Sequence, residues 1–144
     1  MELITDTIVL LAPDSPTKTS VVPVATGDKR PIHLIQYELL TARPYQLTLE
    51  ELIFAVHVER AGLAGAEVKR RKDEIWGKLF SKSHACMRAS ALPKKFGWGV
   101  HYDSRGKLAL FAVESSEYRK LAGGKVRGVK LVAALRTKRD KQAS

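Results

Sequence analysis

Four side chains able to do chemistry alternate along "HACMRAS", residues 84–90: His84, Cys86, Arg88 and Ser90. If this stretch is a strand, all four face one way while Ala85, Met87 and Ala89 face the other. A cysteine beside a histidine is the minimum for nucleophilic catalysis, because an imidazole can draw off the thiol proton and an arginine favours the thiolate. Arg88 would equally grip a carboxylate or phosphate through two parallel hydrogen bonds. Ten residues on, "GWGVH" (97–101) puts Gly97, Gly99 and His101 on one face of a strand and Trp98, Val100 and Tyr102 on the other. Two glycines beside a histidine leave a gap that a packed neighbour or a ligand must fill.

The expected site is therefore a pocket above Gly97 and Gly99, lined by His57, His84, Cys86, Arg88, Ser90, Trp98, His101 and Glu114. In it Arg88 pairs with an anionic group, Trp98 borders an apolar part of the ligand and His101 serves in hydrogen bonding or proton transfer. Trp98 and His101 face opposite ways on a regular strand, so both reach one pocket only across a bulge. Glu114 leaves the end of the 107–113 strand, where functional groups commonly sit on the following loop. The same residues also suit ordinary structure: a free cysteine is usually a small buried hydrophobe, and strand glycines often mark close packing. No metal or cofactor is expected. His33, His57, His84, His101 and Cys86 show no paired spacing beyond His84-x-Cys86, and a zinc site needs three or four ligands.

A second reading is a nucleic-acid surface that is indifferent to sequence. "KKFGWGVHY" is partly similar to the aromatic strand of RNA-recognition domains, but Phe96 stands where a basic residue belongs and His101 where valine belongs. Lys94, Lys95, Arg105 and Lys107 could hold phosphates while Trp98 and Tyr102 stack on bases. A third reading, an assembly subunit, would bury Trp98 and Tyr102 between copies.

The elements that must position these residues read as follows. "TIVLLA" (7–12) is a strand ended by "PDSP". Residues 13–31 hold four of the six prolines and form a long surface loop. "IHLIQYELLTA" (32–42) has helical spacing, and "TLEE" (48–51) fits a capping box. In "LIFAVHVER" (52–60), Phe54, Val56 and Val58 alternate with Ala55, His57 and Glu59, which predicts a helical turn running into a strand. "GAEVKRRKDEIWGKLF" (65–80) is an amphipathic helix whose basic run is balanced by Glu67 before Arg71 and Glu74 before Lys78. Strands over 84–89, 97–102 and 107–113 follow, the last two a hairpin turned by "DSRG" with Gly106 left-handed. The 107–113 strand is apolar on both faces and is expected to be central. Two C-terminal helices, "SSEYRKLA" and "KVRGVKLVAALRTKR", close the chain before a basic tail at 137–144.

The 144 residues suit one domain with a substantial core. The net charge of +10 is uneven: residues 1–65 carry five Lys/Arg against eight Asp/Glu, and residues 66–144 carry twenty against seven. That asymmetry points to an anionic partner for the second half, small ligand or nucleic acid. The first apolar run is too short for a leader or a membrane span, so no membrane association is expected. A single cysteine makes an internal disulfide impossible, and a reducing cytoplasmic setting is the default.

"QYELL" with "PY" after it (36–45), "CMRAS" (86–90), "FGWGVHYDSRGKLALFAVES" with "EY" (96–118) and "LRTKR" (135–139) together carry a resemblance. In their order over Thr5 to Arg139 the chain resembles an uncharacterised family of small single-domain proteins. Its Pro93 follows Ala91 and Leu92, whereas the family's proline comes sooner after the serine. The resemblance implies no substrate, cofactor or reaction. The reading as a whole is one α+β domain: an antiparallel four- or five-stranded sheet with flanking helices, binding a small anionic or polar ligand in a sheet-lined pocket.

Overall fold

The computed structural model describes residues 3–137. Its elements are β1 (Thr7–Leu10), α1 (Ile32–Ala42), α2 (Leu49–Arg60), α3 (Gly65–Leu79), a 3₁₀ turn (Met87–Ala89), α4 (Ala91–Lys95), β2 (Trp98–Tyr102), β3 (Leu108–Ala112), α5 (Ser116–Ala122) and β4 (Lys130–Ala133). The four strands form one sheet in the order β3-β2-β1-β4. The architecture is α+β, as the sequence implied, but the sheet is mixed: β1 is antiparallel to β2 and parallel to β4.

The hairpin forms where local chemistry predicts it. Gly106 takes φ +77°, and the Asp103 carboxylate accepts from the Arg105 and Lys107 amides. β2 and β3 then pair from Trp98↔Ala112 to Tyr102↔Leu108. Val100 and Tyr102 face the main core with Val9 of β1, and Ile35, Leu40, Leu52, Met87 and Leu92 cover them. On the other face the short α5 lays Tyr118 over Gly99, and the Tyr118 hydroxyl accepts from the Leu11 amide.

Four expected elements differ. Residues 52–60 are helical throughout. The Thr48–Glu51 capping box is fully formed and starts α2. Leu49, Leu52 and Val56 then follow a helical stripe into the main core, while Phe54 packs on Trp76 of α3 at 5.1 Å between ring centroids. The alternation came from a helix buried on two sides, not from a strand. Residues 84–89 are not a strand either. Ala89 and Ser90 amides return to the Cys86 and Met87 carbonyls, and the Met87 amide donates to the buried Tyr102 hydroxyl. These bonds close the backbone locally and leave no ladder.

At the C-terminus a strand, β4, replaces the expected second helix as far as residue 137; the rest of that helix and of the basic tail lies outside the described residues. β1 has an open second edge, and the Lys130 and Ala134 amides fill it through the Asp6 and Leu10 carbonyls. Finally, β3 is an edge strand and not central. Its outer side is met by the α1–α2 connection, where Tyr45 N donates to Leu108 O and Leu108 N to Leu47 O. That cover accounts for apolar residues on both faces of an edge.

Residues 13–31 contain no helix or strand, as expected of a surface loop. They are tied down at Val21 N to Phe96 O, at Trp98 Nε1 to Val21 O, and at Ser20 to the Glu114 carboxylate. Among the described residues no helix is long and apolar enough to cross a membrane.

Candidate functional site: a helix-lined cavity

The space above Gly97 and Gly99 is occupied. A Cβ on Gly97 would lie 2.6 Å from the Thr19 carbonyl oxygen, and one on Gly99 would lie 2.5 Å from the Tyr118 ring. The gap that the glycines create is filled by the 13–31 loop and by α5. The expected sheet-lined pocket is therefore not formed, because packing neighbours use that space.

A different cavity, of about 520 Å³, lies between α1, α2, the end of α3 and residues 84–91. That volume is in the range of sites for small organic ligands. α2 contributes Leu49, Ile53, Val56, His57 and Arg60, one stripe at helical spacing. α1 contributes Ile32, His33 and Gln36 from its first turns. His57, His84, Cys86 and Ser90, four of the residues singled out by the sequence, line it together. They meet because α2 is a helix and 84–90 is a folded-back turn, not because two strands present polar faces.

The other four do not reach it. Arg88 Nε donates to the Ala133 carbonyl at 2.7 Å, and the Arg88 carbonyl accepts from the Leu135 amide. Arg88 thereby clips the outer edge of β4. Trp98 donates its indole N–H to Val21 O and meets Tyr37 edge-on. His101 pairs through Nδ1 with the Tyr45 hydroxyl at 2.9 Å on the α5 face. Glu114 accepts from Ser20 N and Oγ, both at 2.8 Å, and these bonds hold its carboxyl below the usual range, the backbone bond foremost.

The basic residues are also separated. Lys94 and Lys95 sit on α4 before β2, whereas Arg105 and Lys107 follow its far end, about 17 Å away along a five-residue strand. Tyr102 is 1% exposed, so its ring lies in the core, whereas Trp98 is half-buried.

Three polar residues of the wall, His33, Gln36 and Arg60, were not among the expected site residues. The signal was faint, a polar pair one turn apart (His33, Gln36) beside the apolar stripe of α1. Ser90 Oγ caps α4 by accepting from Leu92 N, and it donates to Gln36 Oε1 at 2.7 Å. The Gln36 amide NH₂ has no hydrogen bond to any described residue. His84 Nε2 donates to the Leu79 carbonyl at 2.7 Å. His33 stacks on Phe96 at 4.7 Å. Burial first, then the nearby Lys95 charge, push its pKa down. Among the described residues no aspartate or glutamate lines the wall. On the two helices that line it, Glu38 of α1 and Glu59 of α2 are both paired with Arg30. Among the described residues no group of three or more His, Cys, Asp or Glu is placed to hold a metal ion.

These histidines make stability depend on pH. His101 is also lowered, by burial, against the opposing charges of Asp103 and Asp6. A histidine whose folded pKa lies below its ordinary value of 6.5 is protonated more readily in the unfolded chain. Its contribution is fully present above pH 6.5 and is lost as pH falls from there through the folded pKa. Thermal melts are expected to show Tm falling between about pH 7 and pH 5.5. A His33→Gln/His101→Gln double variant should give a shallower slope over that window, and an unchanged slope would refute the assignment.

No curated protein and no solved structure matches this chain. The family expected from the sequence motifs is present: a model of a family of unknown function (DUF6157) matches residues 3–140, and the chain belongs to that family.

Proposed function

We propose that this protein binds a small anionic or polar ligand in the cavity between α1, α2 and residues 84–91. The observation that carries this reading is the cavity wall, which is largely apolar yet holds His33, Gln36, His57 and Arg60 with no carboxylate among them. Apolar walls with a few convergent polar groups are the usual form of a small-molecule site. The one cysteine, a free thiol on that wall, suits a reducing cytoplasmic setting. The reading is one of binding, and no catalytic residue is assigned.

The test is a screen of small carboxylates, phosphates and neutral amides by ¹H–¹⁵N correlation spectra of the full chain. Ligands are expected to shift the His33, Gln36 and His57 amide signals, and Ala89→Trp, which fills the cavity, should abolish the shifts while the spectrum stays folded. Shifts that survive Ala89→Trp, or that fall only elsewhere, would refute the proposal. The basic second half leaves a nucleic-acid reading as the alternative, but no arrangement of Lys94, Lys95, Arg105 and Lys107 favours it over the cavity. Its signature would be affinity that falls steeply with salt.

A further inference from the structure

We propose that the occupant is an amphipathic monocarboxylate, a single carboxylate on a compact apolar body. This rests on the cavity reading above and names the ligand class. α1 and α2 form a helical hairpin, so the first turn of α1 lies beside the last turn of α2. Arg30 marks that junction: it bridges Glu38 and Glu59, and its carbonyl accepts from Arg60 Nη1 at 3.1 Å. His33, Gln36, His57 and Arg60 therefore gather at one end of the cavity. The start of α2 lies at the other end, about 16 Å away along eleven residues of helix. There Leu49 lines the cavity, and Ile53 and Val56 continue an apolar wall toward the junction.

The charge count selects a monoanion. Among the described residues Arg60 is the one lining residue with a permanent charge. Its sequence neighbour Glu59 is taken by Arg30, and Arg60 has no carboxylate partner among the described residues. Among the described residues only Nη1 has a partner, so the Nε–Nη2 edge presents two parallel N–H donors, the fork that a carboxylate matches. Arg60 is exposed at the cavity mouth, so a neutral ligand would leave its free edge to water, whereas a carboxylate matches the fork. A phosphate dianion would bring two negative charges to a lining whose described residues carry one permanent positive charge. A carboxylate on an apolar body satisfies both ends.

The experiment compares 4-phenylbutyrate, its primary amide and phenyl phosphate on the full chain, by calorimetry and ¹H–¹⁵N spectra near pH 7.5. The carboxylate is expected to bind at least tenfold more tightly than the amide. Arg60→Gln should remove that preference and Arg60→Lys should retain part of it; melts of both variants verify folding. An amide that binds as tightly as the carboxylate, a phosphate that binds more tightly, or a preference intact in Arg60→Gln overturns the ligand class. In those cases shifts at cavity signals leave the cavity reading standing. Absence of cavity shifts from all three probes overturns the class, and failure of the broader screen as well overturns the cavity reading itself.

Discussion

Gly97→Ala is expected to lower stability by about 3–5 kcal/mol, a large share of the roughly 5–15 kcal/mol that holds a domain folded. Two costs combine at this position. Gly97 has φ +78°, where a side chain strains the backbone, and its Cβ would meet Thr19 O at 2.6 Å and Ser20 Cα at 2.9 Å. Both atoms are backbone, so no rotamer change relieves the clash. The 13–31 loop would have to lift from the sheet and loosen its bonds to Phe96 O, Trp98 and Glu114. Gly62→Ala separates the terms: Gly62 has φ +65° but nothing within 4 Å of its Cβ position. It is expected to cost only the conformational part, about 1–2 kcal/mol. Denaturant melts of the two variants provide the comparison. Equal losses would show that Gly97 is constrained by its backbone angle alone and that the loop is not seated on it.

Leu52→Ala is expected to cost about 2–5 kcal/mol, the range for a buried leucine truncated in a packed core. Leu52 is 0% exposed on α2, within the cluster that includes Val100, Tyr102 and Leu108. Ile53, the next residue, lines the cavity and is only partly buried. Its truncation leaves less void and should cost about half as much or less. The ratio reports the helical stripe directly, because Leu52 faces the core and Ile53 the cavity. A loss below about 1 kcal/mol for Leu52→Ala would contradict the packing of α2 against the sheet.

Those two positions mark the division between what is local and what is not. The 97–113 hairpin was legible because Asp103 and Gly106 build their turn within four residues, and Trp98, Val100 and Tyr102 share a face by simple alternation. The capping box at Thr48 and the amphipathic α3 were legible for the same reason. Of the expected ion pairs in α3, Glu67–Arg71 is present at 2.6 Å, whereas Glu74 also turns to Arg71 and not to Lys78. In both cases the partners lie within one helical turn.

What failed depended on distant partners. The 52–60 stretch resembled a strand because Phe54 faces a second helix. The 130–133 stretch forms a strand because β1 offers an edge more than 120 residues earlier. The site divides along the same line. Family membership and the α+β class were legible along the chain, and His57, His84, Cys86 and Ser90 were among eight side chains expected to share a site. It takes the packed fold to place Arg88, Trp98, His101 and Glu114 in contacts away from the cavity and to bring His33, Gln36 and Arg60 onto its wall. The reason is physical: a cavity is the space that packed elements leave between them. Its lining follows from how α1, α2 and residues 84–91 meet, which no single stretch of chain encodes.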